Sequence, residues 1–253
     1  MRWSEHQIAM LREMGVRLWP AEPETSVPHA ALPPAERAAD PVAAAPAPRA
    51  ADPVARAASP LDALDWPALR DTVAACTACK LCESRRQTVF GVGSTRAHWM
   101  IVGEAPGEQE DREGEPFVGK SGQLLDNMLR AIALTRREDA EPAHQVYIAN
   151  TLKCRPPGNR NPLPEELAQC EGFLIRQVQL LQPKIILAMG AFAVQSLLRS
   201  TEPVGKLRGR VHRYQGVPLV VTYHPAYLLR NPVDKAKAWD DLCLAVEAAH
   251  GSV

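Results

Sequence analysis

The chain has 253 residues, enough for one large domain or two small ones. Its 29 basic and 29 acidic residues cancel to a formal net charge of +0, which excludes a polycation that grips nucleic acid through bulk charge; any such surface must be local. No apolar run approaches the roughly 18 residues of a membrane span. The opening MRWSEHQIAMLREMG carries charges where a signal peptide needs an apolar core, so a soluble, cytoplasmic protein with no membrane partner is expected.

In chain order, residues 1–20 place Ile8, Leu11 and Met14 at helical spacing between Trp3 and Trp19. This reads as a short amphipathic segment that either docks on a protein partner or packs weakly as a chain end. Residues 21–60 form a Pro/Ala-rich linker: prolines from Pro23 to Pro60 interrupt any helix the alanines start, and no aromatic residue is present to bury. Such a segment cannot offset the entropy of ordering, so a disordered extension is expected. The domain proper is expected over 61–253. Four short β-rich runs, 98–104 (HWMIVGE), 146–151 (VYIANT), 184–190 (KIILAMG) and 218–224 (PLVVTYH), read as strands. Helical periodicity covers 121–134, 164–182, 191–198 and 234–250, with Pro164 suited to a first helical turn. This order predicts an α/β sandwich around a mostly parallel sheet. Ligands then collect beyond the carboxyl ends of the strands, where GEAPGEQED, NTLKCRPPGN and HPAYLL hold the densest polar chemistry.

Six cysteines in a chain without an export signal read as thiols or metal ligands rather than a disulfide framework. Cys76, Cys79 and Cys82 form two overlapping C-x2-C steps in CTACKLC, while Cys154 and Cys170 are far downstream. Four thiolates from two distant pairs can close a zinc site or hold an iron–sulfur cluster, and the wide second pair suits the bulkier group. Cys82 reads as a ligand, a spare thiol or a packing residue. Cys243, between Leu242 and Leu244, reads as packing.

From about residue 76 to 239 the chain resembles the iron–sulfur uracil-DNA glycosylases, family 4 of the uracil-DNA glycosylase superfamily. The resemblance rests on CTACKLCESR, on IVGEAPGEQEDREGEPFVGKSGQLLDNML, on YIANTLKCRPPGNRNPLP followed by Cys170, and on YHPAYLLRNP. Four such blocks in order are far more specific than any one alone. The resemblance implies a three-layer α/β/α sandwich with a four-stranded, mostly parallel sheet. It also implies a structural [4Fe–4S] cluster ligated by Cys76, Cys79, Cys154 and Cys170, with Cys82 outside the ligand pattern.

The implied activity is monofunctional hydrolysis of the N-glycosidic bond of uracil in single- or double-stranded DNA, leaving an abasic site for base-excision repair, by a monomer. Such an enzyme flips the nucleotide into a pocket, stacks the base and reads its edge. By resemblance Phe117 stacks on uracil, and Asn150 donates to O4 and accepts from N3–H, a pairing that cytosine fails. The backbone at Ala105 faces the base, and His224 donates to O2 as negative charge develops on the leaving uracil. Glu104 and Glu110 are the expected catalytic carboxylates in a loop that also holds Glu108 and Asp111. With no side-chain base at Ala105, hydrolysis is expected to lean on leaving-group stabilisation. Lys206, Arg208, Arg210 and Arg213, with Lys153, Arg155 and Arg160 at the second strand's exit, are candidate phosphate contacts. Tyr227, Leu228 and Leu229 are candidates for the wedge that fills the gap of the flipped base, with Leu228 carried as the DNA-binding residue. The competing reading is a non-catalytic nucleic-acid-binding or replication-associated adaptor that keeps the fold and the cluster.

Overall fold

The computed structural model describes residues 59–251 and, upstream of them, Glu13 alone. The expected N-terminal segment (1–20) and nearly all of the linker (21–60) therefore lie outside the described residues. Among the described residues no helix is long and apolar enough to cross a membrane.

The centre of the molecule is a sheet whose four inner strands are β2 (Trp99–Gly103), β3 (Val146–Asn150), β4 (Ile185–Met189) and β6 (Val217–Thr222). They pair in parallel in the order β3-β2-β4-β6. β2, β3 and β4 are buried at every position, which is why they read as unbroken apolar runs rather than alternating ones. The sheet has six strands, not the expected four: β1 (Val92–Gly93) and β5 (Val211–Tyr214) close its two edges, each antiparallel to its neighbour. Neither carried a strand signal, because β1 is two residues long and ends in glycine, and β5 (VHRY) is a half-solvated edge.

Alternate residues of each strand feed opposite faces. On one face Ile101, Ile148, Leu187 and Val220 meet Leu125 and Met128 of one helix and Trp239 and Leu242 of another. On the other, Val102, Ala149, Ala188 and Val221 meet Leu174, Val178, Val194 and Leu197. The helices, in chain order, are α1 (Trp66–Ala74), α2 (Glu108–Glu113), α3 (Lys120–Ala131), α4 (Pro164–Leu181), α5 (Ala191–Leu198), α6 (Val204–Leu207), α7 (Pro225–Arg230) and α8 (Lys235–Ala249). α3 and α8 cover the first face, and α4 and α5 the second, giving the expected three layers. α4 starts as Pro164 suggested, with Glu166 accepting from the Leu163 N–H at 2.9 Å to satisfy a first-turn donor. α1 is capped by the Asp65 side chain, which accepts from the Ala68 N–H, and packs against α4 to form a third apolar cluster with Leu152, Cys154, Cys170 and Phe173.

This topology positions the site. The chain leaves β2 for β3 on one side and leaves β4 for β6 on the other, so a crevice opens beyond the carboxyl ends of β2 and β4. The ends of β3 and β6, with Asn150 and His224, flank it.

Candidate active site and cysteine centre

Asn150 closes β3 with 3% of its surface exposed, and among the described residues nothing hydrogen-bonds its side-chain amide. Beside it, Gly103 ends β2. A Cβ on Gly103 would lie 2.4 Å from Asn150 Oδ1 and 2.7 Å from Phe117 Cζ, so glycine is what lets the carboxamide and the ring edge meet over the strand end. Phe117 has φ of 56°, a left-handed conformation unusual for a bulky side chain. Two features hold it there. Arg136, ion-paired to Asp126 at 2.7 Å, donates to the carbonyls of Pro116 at 3.2 Å and Phe117 at 3.4 Å. Gly122 of α3 lies so close that a Cβ there would be 1.7 Å from the Phe117 oxygen. The glycine inside the apolar run of β2 was the available sequence signal for this close approach; Arg136 left none.

Glu110 was expected to be catalytic, and its geometry assigns it otherwise. Oε2 accepts from the Gly107 N–H at 3.1 Å, and Oε1 accepts from Val118 at 3.1 Å and Gly119 at 3.4 Å. The carboxylate thus bonds the main chain of the loop that carries Phe117. Glu104 is different: its main-chain carbonyl accepts from Thr151 Oγ1 at 2.6 Å and Leu152 N at 3.1 Å, and its carboxyl group has no hydrogen-bond partner among the described residues. Burial raises its pKa to about 7. Ala105, the next residue, is half-buried and packs toward the third apolar cluster, so the loop that faces the crevice backs onto the cysteines.

His224 follows β6 and caps α7: its Nδ1 accepts from the Ala226 N–H at 3.1 Å. A main-chain N–H can only donate, which assigns the proton of the neutral ring to Nε2. Burial, with a contribution from Arg230, lowers its pKa to about 4, so the ring is neutral at pH 7. The imidazole stacks on Phe117 with centroids 5.4 Å apart and planes at 27°. Gly190, at the end of β4 with φ of 90°, makes room for it, since a Cβ there would lie 2.9 Å from His224 Cβ. The three residues singled out for the pocket are thus brought together.

The candidate DNA contacts divide. Lys206 and Arg210 are exposed and make no ion pair or side-chain hydrogen bond among the described residues. Arg208 does not belong with them: it turns inward to a 3.0 Å ion pair with the fully buried Asp241 and donates to the Lys237 carbonyl, fastening the basic loop to α8. Lys153 is 1% exposed and cannot reach a phosphate. Arg160 is engaged by Glu166, and Arg155 by Asn159 and Glu108. Arg213 is exposed, with one N–H on the Gly216 carbonyl. Leu228 is fully buried in the first core face and cannot be a wedge, whereas Leu229, 45% exposed, presents the free apolar side chain. The neighbouring Tyr227 donates its hydroxyl to Asp234 at 2.7 Å and stacks on Tyr223. A helical turn pointing one leucine inward and the next outward is a choice that adjacent leucines do not reveal in sequence.

Cys76, Cys79, Cys154 and Cys170 line one pocket together with Arg85 and Lys153. Cys82 is not among the lining residues, and Cys243 packs at the edge of the first core face. Among the described residues no group of three or more His, Cys, Asp or Glu side chains is gathered closely enough to hold a metal ion as it stands. The donor set, four thiols on one lining, is of the soft kind that zinc or an iron–sulfur cluster takes. Its surroundings fit too: Arg85 Nη1 donates to Cys154 Sγ at 3.1 Å. Burial pushes the Cys154 thiol up and the Cys170 thiol up to about 11, so thiolates here need bound metal to be stable.

A family model described as the uracil DNA glycosylase superfamily matches residues 90–243. A type-4 uracil-DNA glycosylase of Thermotoga maritima is 43% identical over 163 residues, which is 64% of this chain and 81% of the relative. One from Archaeoglobus fulgidus is 40% identical over 168 residues, 63% of this chain and 81% of the relative. One from Pyrobaculum aerophilum is 38% identical over 191 residues, 72% of this chain and 93% of the relative. With the pocket, the cysteine set and this similarity pointing the same way, the chain belongs to the uracil DNA glycosylase superfamily, on its type-4 branch.

Proposed function

We propose that the protein is a monofunctional uracil-DNA glycosylase of base-excision repair, acting in the cytoplasm as a monomer on uracil in single- and double-stranded DNA. The observation that carries this reading is the unpaired Asn150 amide, buried beside the Phe117 ring and the neutral His224 imidazole. A flipped uracil stacks on Phe117, donates N3–H to Asn150 Oδ1 and accepts at O4 from Nδ2. His224 Nε2–H donates to O2. As the N1–C1′ bond breaks, its electron pair leaves on uracil and the imidazole stabilises that anion without giving up its proton. Water bonds to C1′ on the opposite face, and Glu104, the carboxyl group left without a protein partner, takes its proton. Lys153, three residues after Asn150, has its ammonium bonded to the Asn150 carbonyl and Gln177, so it is not a free amine for a Schiff base and a lyase step.

Because Glu104 titrates at about 7 and works as the carboxylate, kcat/KM is expected to rise with pH below that value and to level off above it. Glu104→Gln is expected to be slower throughout and to lose this acid limb. An unchanged limb in the variant would remove Glu104 from the water's path.

Lys206 and Arg210 contact phosphates, and Leu229 enters the duplex as the wedge. Leu229→Ala is therefore expected to slow excision from double-stranded DNA by roughly tenfold while leaving single-stranded DNA nearly unaffected, since only the duplex has a stack to fill. Leu228→Ala should instead act on stability, lowering it by about 2–5 kcal/mol in a denaturant titration.

Cys76, Cys79, Cys154 and Cys170 would hold a structural [4Fe–4S] cluster, which would tie the segment before β1 to the loop after β3 and to α4. Cys154→Ser is expected to lose the broad visible absorbance and bound iron of the wild type and to unfold at lower temperature. A colourless wild type containing zinc would overturn this assignment.

The direct test is alkali-revealed cleavage of an oligonucleotide containing one uracil, beside matched cytosine and thymine controls. Cleavage at uracil alone is expected. Binding without cleavage by iron-loaded protein would favour the adaptor reading.

A further inference from the structure

Lys153 is almost completely buried, and among the described residues neither group that its ammonium bonds is an acid. Its ammonium donates to the Asn150 carbonyl at 2.8 Å and to Gln177 Oε1 at 2.7 Å. Gln177 in turn donates to the Phe90 carbonyl at 2.9 Å and to the Tyr147 hydroxyl at 3.2 Å, so the network is hydrogen-bonded but neutral. Among the described residues no carboxylate pairs with Lys153. A buried ammonium without a counter-charge is strongly disfavoured. The same residue lines the cysteine pocket, and its main-chain N–H bonds the Cys170 thiol. Arg85 is the one other cationic residue on that lining, with Nη1 on Cys154 Sγ. A [4Fe–4S] core held by four thiolates carries two net negative charges.

We propose that Arg85 and Lys153 are the two counter-charges of the cluster, and that Lys153 also transmits the cluster's presence to the uracil pocket by fixing the Asn150 carbonyl. The proposal rests on the cluster reading of the four cysteines. Each cation stabilises the bound cluster electrostatically, and each makes the core easier to reduce. Lys153 has the second role because its ammonium holds the last residue of β3 from behind, whereas among the described residues Arg85 otherwise reaches only the Ala74 carbonyl. Loss of the cluster then leaves the ammonium uncompensated and frees the strand end that presents the carboxamide. Lys153 is a positioning residue, not a group that touches substrate.

The test compares holoenzyme wild type with Lys153→Met, Arg85→Met and Arg85→Lys. Iron and sulfide content, the cluster's reduction potential, its bleaching rate in a chelator, and kcat and KM on a uracil oligonucleotide are measured for each. Both Met variants are expected to shift the potential to more negative values and to bleach roughly 10–100-fold faster, with Arg85→Lys restoring most of the difference. At matched cluster content, only Lys153→Met is expected to lower kcat. Unchanged potentials and bleaching in both Met variants would overturn the counter-charge role. Equal kcat in Lys153→Met would overturn the coupling. If Lys153→Met does not fold, the Arg85 pair decides the first claim, and Gln177→Leu, which removes the ammonium's other anchor, decides the second by the same kcat comparison. A wild type without iron and sulfide is a separate outcome, which sinks the cluster reading itself.

Discussion

Asn150→Asp is expected to cut uracil excision by about 10²–10³-fold, and by more than Asn150→Ala does. The substitution keeps the shape of the side chain but replaces the Nδ2 donor by a second acceptor. Uracil O4 then faces a carboxylate oxygen, and part of the negative charge that develops on the leaving base accumulates beside a fixed negative charge. Alanine removes both hydrogen bonds without adding the repulsion. The environment sharpens the difference: Asn150 is 3% exposed, with the Phe117 ring on one side and the strand ends below, so little water is present to screen the charge. The alkali-revealed cleavage assay ranks the three proteins, and thermal melting establishes that both variants are folded. An Asp variant faster than the Ala variant would mean that Asn150 does not read the O4 edge.

Much of this site was legible in the sequence because its parts sit at the ends of strands that are buried at every position. The apolar runs ending in Gly103, Asn150 and Met189 fixed the sheet's carboxyl edge to within a residue or two, and the polar residues just beyond them had to face the crevice. Elements built without apolar periodicity were not legible. α2 is EQEDRE, held by Asp111 and Glu110 accepting main-chain N–H groups from elsewhere in the chain, and β5 is a charged edge. Charge in a sequence also carries no direction. Lys153 and Arg208 looked like phosphate ligands, and the structure turns one toward the cysteines and the other onto Asp241. Glu110 and Glu104 were indistinguishable as acids in one loop. Three main-chain N–H groups absorb the first and none reaches the second, a difference set by the path of residues 107–119.

His224→Ala is expected to lower kcat by about 10²–10³-fold while leaving the form of the pH profile intact. An imidazole of ordinary pKa would place a limb near 6.5 in the activity of the wild type. Burial against Phe117 and Gly190, with the nearby Arg230, moves its titration to about 4, so the ring is already neutral throughout the range in which Glu104 ionises. The Ala226 N–H enforces the same state, since a proton on Nδ1 would set one N–H donor against another. What His224 contributes is therefore a fixed Nε2–H dipole aimed at developing charge, present on both sides of pH 7. Removing it scales the whole profile down; removing the Glu104 carboxylate changes where the profile bends. If His224→Ala instead abolished the acid limb, the histidine would be acting as a titrating acid or base. The division of labour between these two side chains would then have to be reversed.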